Sequence, residues 1–286
     1  MMITRTIKKT ISSLLLIFII GTVLGQKISS NAPWFFIQIT DPQFGMFENN
    51  EGFEKETFLY EKAVAGINNL KPDFVVITGD FVHNPNSFDQ INEFKRITSK
   101  INPEIPVYYT PGNHDVGQIP DKKSLKNYRK NYGGDKFSFE HKGASFIGFN
   151  TSFIKAKLKK QEQKQYKWLT KKLKQSKVAN LVILFCHYPF FNKTVDEPEA
   201  YSNIGPEYRE KYLHLFEAHA VEAVFNGHHH NNGLASYDEV QLVTTSAIGK
   251  QLGDAPSGMR IVKIYSDKIE HEYFGLEELP ESLKFD

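Results

Sequence analysis

Cysteine is almost absent from this chain of 286 residues, which contains only Cys186. A single thiol cannot form an internal disulfide, so stability must come from a packed core and from any bound metal. Cys186 follows the apolar run 181–185, and no residue apart from its neighbour His187 suggests an activated thiol. We therefore predict a small buried residue at a strand end rather than a nucleophile.

A large charge of either sign is also lacking, because the formal net charge is only +2. Three of the positive charges lie in the first 25 residues, and removal of that segment would change the net charge to −1. The mature chain is therefore not expected to bind nucleic acid through a basic surface. A content of 40% hydrophobic and 13% aromatic residues excludes global disorder and predicts a substantial core.

No apolar run reaches the roughly 20 residues that a membrane-spanning helix needs. The run at residues 11–24 follows three basic residues and precedes Gly25. This layout predicts a secretory signal peptide over residues 1–25, cleaved near Gly25/Gln26, with residues 26–286 as one domain. A retained membrane anchor is the alternative. We expect an exported periplasmic or extracellular protein without a stable membrane span after cleavage.

The chain does contain a series of short apolar runs separated by helical patterns. Residues 34–40, 74–78 and 107–109 are mostly apolar and of strand length. The stretches 53–70 and 88–100 between them carry apolar residues at helical spacing. Continuous apolar strands that alternate with helices predict a parallel sheet covered on both faces.

The second half of the chain continues this alternation. Residues 137–151 predict a hairpin, and residues 181–185 and 223–225 predict two more strands. Residues 155–177 hold ten lysines and predict a helix with a solvated basic face rather than an anion-binding strip. The segment 234–273 predicts short strands of a second sheet packed against the first. The whole pattern predicts an α/β fold with two facing sheets flanked by helices.

Five of the predicted strands end in side chains of the kinds that bind metals. In α/β sheets such groups meet in the crevice beyond the carboxyl ends of the strands, even when they are distant in sequence. The donors are oxygen and nitrogen without thiolate, which favours Mn, Fe or Zn over a cysteine-rich zinc site, Mg or Ca. There are enough of them for two ions. The groups are Asp41 with Gln43, Asp80, Asn113 with His114, His187, and His228 with His230.

Each of these motifs has a simpler explanation when it is taken alone. Pro, Gly, Asn and Asp around Asn113 are ordinary turn residues. The three consecutive histidines 228–230 could be an affinity tag, but their internal position after a strand and a glycine argues against one. Among the remaining histidines, only His83 is expected to face the same crevice, because it follows Asp80 by three residues.

Taken in order, the motifs resemble those of the calcineurin-like metallophosphoesterases over roughly residues 34–275. Within that family, residues 41–45 and 246–253 resemble a branch of serine/threonine phosphatases. The resemblance implies a four-layer sandwich of two mixed sheets between helices. It also implies two divalent or mixed-valence metal ions and a phosphate-ester substrate. The motifs are Asp41-Pro42-Gln43, Gly79-Asp80, Gly112-Asn113-His114-Asp115, His187 and Gly227-His228-His229-His230.

The resemblance also implies a role for each residue. His114 is the catalytic histidine outside the metal shell, and Asp80 is the carboxylate that bridges both ions. Gln43 stands where most of the family has a histidine, and His83 stands where the phosphoprotein phosphatases have an aspartate beside the catalytic histidine. The remaining implied ligands are Asp41 and His230 for the first ion, and Asn113, His187 and His228 for the second.

Hydrolysis of a phosphomonoester is therefore the predicted reaction. Two alternatives remain open: phosphodiesterase activity on the same metal core, and a metal- or phosphate-binding protein that has lost catalysis through Gln43. We expect a monomer. Loops at residues 116–135 and 190–206 are expected to set substrate specificity, because they follow the motifs and are rich in turn-forming residues.

Overall fold

The computed structural model of the chain describes residues 32–285. The predicted signal peptide, residues 1–25, lies outside the described residues. No helix within residues 32–285 is both long and apolar enough to cross a membrane. The elements in chain order are β1 (Trp34–Ile39), α1 (Glu54–Leu70), β2 (Val75–Ile77), α2 (Phe88–Thr98), β3 (Val107–Tyr109), α3 (Asn113–Val116), α4 (Lys122–Tyr132), β4 (Phe137–His141), β5 (Ala144–Gly148), α5 (Ser152–Lys155), α6 (Lys159–Gln175), β6 (Leu181–Phe185), α7 (Pro206–Glu217), β7 (Ala223–Asn226), β8 (Gly233–Tyr237), β9 (Val240–Thr244), β10 (Gly258–Ile264) and β11 (Ile269–Gly275).

The first sheet has five strands in the order β11-β10-β1-β2-β3. Strands β1, β2 and β3 are parallel, as the alternation of apolar runs and helices predicts. Strands β10 and β11 extend the sheet beyond β1 and run antiparallel. In the register of β10, Ile264 pairs with Trp34 and Val262 pairs with Phe36. These four side chains all belong to the core between the sheets.

The second sheet has six strands in the order β4-β5-β6-β7-β9-β8. Strands β5, β6, β7 and β9 are parallel, whereas the edge strands β4 and β8 are antiparallel. The predicted hairpin is β4-β5. The prediction that residues 234–273 all belong to this sheet is wrong, because β10 and β11 join the first sheet. Alternation of apolar residues identifies a strand, but the partner of that strand is decided by tertiary packing.

The burial of β1 on both faces explains how the layers are held together. Successive side chains of a strand point to opposite faces. Phe36 points into the core between the sheets, where its ring stacks on Phe74 at 4.9 Å and contacts Phe225 edge-on. Ile37 and Ile39 point outward, into the core with α1 and α2. Full burial of such a side chain contributes roughly 1.5–3 kcal/mol.

Helices α6 and α7 cover the outer face of the second sheet, where Leu169, Leu173 and Tyr212 pack on β6 residues. The result is the predicted four-layer arrangement of two mixed sheets between helices. Cys186 is buried, as predicted. Residues 116–135 were expected to form a loop, but they contain helix α4. The buried residues of this helix are Leu125 and Tyr128.

Candidate metal centre

The side chains predicted at the strand ends lie together in one cleft, and they come from both sheets. Asp41, Asp80 and Asn113 follow β1, β2 and β3 of the first sheet. His187 and His228 follow β6 and β7 of the second sheet. The cleft therefore lies where the carboxyl ends of two parallel strand sets meet, rather than at the edge of a single sheet.

Several residues of this cleft have an unusual backbone conformation. Asp41, Asp80, His228 and His230 have φ angles of 51°, 50°, 67° and 49°. This left-handed region is unfavourable for a residue with a Cβ atom and costs on the order of 1–3 kcal/mol. Such residues persist only where their surroundings fix them, and they cluster at functional sites.

Two glycines of the motifs allow this close approach of loops. A Cβ atom at Gly112 would overlap the carboxylate and the backbone nitrogen of Asp80. A Cβ atom at Gly227 would overlap the side chains of Thr40 and Asp41. A larger residue at either position would therefore push apart the loops that carry the carboxylates.

One group of donor atoms is centred on His187. Its Nε2 atom lies 3.2 Å from Asp80 Oδ2, 3.2 Å from Asn113 Oδ1 and 3.2 Å from His228 Nδ1. Its Nδ1 atom donates to the carbonyl of Thr78 at 2.7 Å, which leaves Nε2 as the nitrogen available to a metal. Donors bonded at about 2.0–2.2 Å to one ion lie roughly 3.0–3.5 Å from one another. The spacing of this buried group fits a transition-metal ion.

A second group lies on the β1 side of the cleft. Asp41 Oδ1 is 3.3 Å from His230 Nε2, while His230 Nδ1 donates to the carbonyl of Lys250 at 2.5 Å. Asp41 Oδ1 and Gln43 Oε1 are buried without a hydrogen-bond partner. A buried acceptor without a donor costs about 1–3 kcal/mol, so both atoms fit a cation in the cleft.

His83 lies between Gln43 and His114 and contacts both. The Gln43 amide nitrogen donates to His83 Nδ1 at 3.1 Å, which fixes the orientation of the amide. The rings of His83 and His114 stack with centroids 4.7 Å apart. His114 Nδ1 donates to the carbonyl of His83 at 2.9 Å, and the backbone N–H of His114 donates to Asp80 Oδ1 at 2.7 Å. His114 Nε2 is thus the nitrogen that can exchange a proton.

The profile of the calcineurin-like phosphoesterases matches residues 36–232. The chain belongs to the calcineurin-like phosphoesterase family. Its relatives include the serine/threonine-protein phosphatase CPPED1 of Homo sapiens, which is 35% identical over 269 residues and is matched over 87% of this chain and 86% of the relative. The CPPED1 protein of Danio rerio is 32% identical over 270 residues, with 88% and 87% coverage.

Solved structures agree with this fold. A dimetal phosphatase from Danio rerio superposes with a TM-score of 0.64 at 14% identity, over 86% of this chain and 97% of that chain. Purple acid phosphatase PPD1 from yellow lupin also has a TM-score of 0.64 at 14% identity, over 88% and 53%. Family membership and the phosphatase relatives make this calcineurin-like phosphoesterase a metal-dependent hydrolase of phosphoric esters.

In this calcineurin-like phosphoesterase, burial and neighbouring charges act in opposite directions on the ionisable groups of the site. Burial favours a neutral ring, yet the carboxylates of Asp80 and Asp41 raise the pKa of His187 to about 9. Burial likewise opposes the charge of Asp80, but His187 holds the pKa of Asp80 well below its usual range. Burial, together with the charge of His187, lowers the pKa of His228 to about 3. An entering cation would therefore displace a proton from His187.

Asp115 is a residue of the site whose role the sequence analysis missed. Its buried carboxylate accepts backbone N–H groups of Asp80 at 2.7 Å, of Phe81 at 2.8 Å and of Gly112 at 2.8 Å. It therefore joins the loop after β2 to the loop after β3. The only signal in the sequence was an acidic residue directly after His114.

Tyr201 was also missed, although it lies in the predicted specificity loop 190–206. Its hydroxyl accepts from Asn113 Nδ2 at 3.3 Å, its ring centroid is 4.9 Å from that of His228, and it is 60% exposed. The loop is held by buried Arg209 of α7, which donates to the carbonyls of Phe190, Val195, Glu197 and Ile204. No local pattern in the sequence marks either residue.

Proposed function

We propose that the chain is a phosphomonoesterase that uses two ions of the Mn, Fe or Zn class and acts on phosphoserine or phosphothreonine in proteins. The observation that carries this proposal is the presence of two adjacent donor groups, centred on His187 and Asp41, in one buried cleft. The substrate class is supported by relatives named serine/threonine-protein phosphatases, which match most of this chain.

The donor sets divide between the two ions. We assign Asp41, Gln43 and His230 to the first ion, and Asn113, His187 and His228 to the second. We assign Asp80 as the ligand shared by both. When bound, the ions would neutralise charge on the phosphoryl oxygens and activate a water molecule as the nucleophile.

Residues around the ions orient the reacting groups. The hydrogen bonds from His187 Nδ1 to Thr78 and from His230 Nδ1 to Lys250 fix which nitrogen of each ring faces the cleft. His114 is held by His83 and by the oxygen of Asp80, with Nε2 free to hold a proton. We assign it to stabilise the phosphoryl charge or to protonate the leaving oxygen.

An ester panel with metal analysis tests the proposal. The chain is loaded with Mn²⁺ and assayed with para-nitrophenyl phosphate, its bis ester and a phosphoserine peptide. We expect preference for the monoesters and turnover of the peptide. His114→Ala should lower the rate by about 10²–10⁴-fold and retain its metal. Preference for the bis ester would favour a phosphodiesterase, and metal binding without turnover would favour a silent binding protein.

We also propose that the protein is exported to a periplasmic or extracellular location, on the basis of the basic and apolar segment at residues 1–25. Intact-mass measurement of protein from its native cell should then show a chain that begins close to Gln26. An intact N-terminus on a cytosolic protein would contradict this proposal.

A further inference from the structure

A cavity of about 560 Å³ has none of the ligands assigned above in its lining. Its lining comes from the segment after β2, from the segment after α3 and from α4. Pro85 and Val116 in this lining stand two residues after His83 and His114. Two residues of chain span at most about 7 Å, so two residues of the cavity wall lie within that distance of the backbone of the stacked histidines.

One wall of the cavity is basic. Lys123, Lys126 and Lys130 of α4 line it, and their spacing of three and four residues places them on one face of the helix. All three are exposed, and no carboxylate within residues 32–285 forms an ion pair with them. Arg129 of the same helix is different, because it is paired with Asp135 at 3.1 Å. Asp121 also lines the cavity and interacts with Lys123, so three lysines and one carboxylate leave an excess of two positive charges, which attracts an anionic partner.

The cavity also offers apolar surface. Ile119 is 73% exposed and contributes to the lining together with Pro85 and the buried Val116. From Lys123 to Lys130 the helix advances by seven residue steps, or about 10 Å at 1.5 Å per residue. That length corresponds to about three residues of an extended peptide at roughly 3.3 Å each. A combination of unpaired cations and apolar side chains fits an acidic peptide segment better than a free phosphate ion.

We propose that this cavity binds acidic residues that flank the phosphoester of a phosphoprotein substrate. The proposal rests on the proposed function as a protein phosphatase and adds a preference among its substrates. If the phosphoester of a bound peptide lies at His114, peptide residues only a few positions away along the peptide reach the lysines of α4. Those lysines then favour acidic side chains near the phosphorylated residue.

Charge reversal tests the proposal. The first variant is Lys123→Glu/Lys126→Glu/Lys130→Glu. The matched control is Lys160→Glu/Lys164→Glu/Lys167→Glu, which makes the same charge change on exposed lysines of α6, on the outer face of the second sheet. Each Mn²⁺-loaded protein is assayed with two phosphoserine peptides, one with Asp and Glu around the phosphoserine and one with Asn and Gln.

We expect wild-type protein to prefer the acidic peptide, and the α4 variant to lose about 10–100-fold in the acidic-to-neutral ratio of kcat/KM. The α6 control should keep the wild-type ratio. The effect should be larger at low ionic strength, because the lysines are exposed to solvent. Equal ratios in the wild type and in both variants would overturn the cavity proposal.

Two further measurements distinguish failure of the cavity proposal from failure of the proposed protein-phosphatase function. Turnover of para-nitrophenyl phosphate by wild type without turnover of either peptide would overturn the protein-substrate function itself. Binding of a fluorescent acidic peptide without phosphate, followed by anisotropy, does not depend on hydrolysis. Binding that is insensitive to the α4 charge reversal would overturn the cavity proposal even if the enzyme is a protein phosphatase. Competition by inorganic triphosphate, but not by the acidic peptide, would point to a small polyanion instead.

Discussion

Replacement of Asp115 by asparagine should destabilise the protein although it preserves the size of the side chain. The carboxylate accepts three buried N–H groups, two at Oδ2 and one at Oδ1. An asparagine can keep its oxygen on the N–H groups of Asp80 and Gly112, but its NH₂ group then faces the N–H of Phe81. Burial and the charge of Asp80 raise the pKa of Asp115, and asparagine removes this unfavourable charge. Against this gain, one hydrogen bond to the carboxylate, worth about 1.5–3 kcal/mol, is lost, and a buried donor is left unpaired at about 1–3 kcal/mol.

We therefore expect the free energy of unfolding of metal-free Asp115→Asn to fall by about 2–4 kcal/mol, allowing for partial relaxation of the loops. In a protein of this size, that loss corresponds to a decrease in Tm of roughly 4–8 °C. Urea denaturation followed by circular dichroism measures it. Mn²⁺ affinity should fall as well, because the loop that carries Asp80 loses the hydrogen bond from the Phe81 N–H and is held less firmly.

Asp121→Asn is the matched control. Asp121 is exposed and caps α4 by accepting the N–H of Ser124 at 2.7 Å. Asparagine and aspartate are equally good N-caps, so this variant should change stability by less than about 0.5 kcal/mol. If Asp115→Asn is as stable as this control, the buried carboxylate does not join the two loops in the way described.

Three further predictions concern single residues. Asp80→Asn should abolish activity and lower metal content at both positions, which elemental analysis checks; an active, fully metallated variant would disprove the shared ligand. Gln43→His should need less added Mn²⁺ than wild type for full activity, because imidazole is a stronger donor than an amide oxygen; identical Mn²⁺ titration curves would mean that residue 43 does not tune the site. Burial and Arg260 lower the pKa of His271 to about 4, so its unfolded form takes up a proton first as pH falls below about 6.5. Stability should then be lost between about pH 6.5 and 4, and urea unfolding of His271→Gln should show a smaller loss.

The positions of the main strands and of the first two helices could be predicted because their burial leaves a local pattern. Strands buried on both faces require continuous apolar runs, and β1, β2 and β6 have them. The polar residues directly after these runs then stand at the open end of the sheet. Sequence reasoning reached the cleft residues by that route, and the resemblance to the family supplied their roles.

Other features depend on contacts between distant segments and leave no such pattern. β10 pairs with β1 because that sheet edge buries the apolar face of β10. No clear helical pattern marks α4 in the sequence, because its two buried residues stand among lysines. The contact of Tyr201 with Asn113 requires a loop that is folded around Arg209 of a later helix.

By itself, the sequence determined the α/β class, most of the strands and the candidate ligands that follow them. Only the tertiary structure decided that the candidate ligands come from two sheets, that Gln43 turns its amide nitrogen to His83, and that Asp115 joins two loops. The physical reason is the separation along the chain of the residues that set each feature. Alternation and strand ends follow from neighbouring residues, whereas orphaned acceptors and shared hydrogen bonds appear only when segments dozens of residues apart pack together.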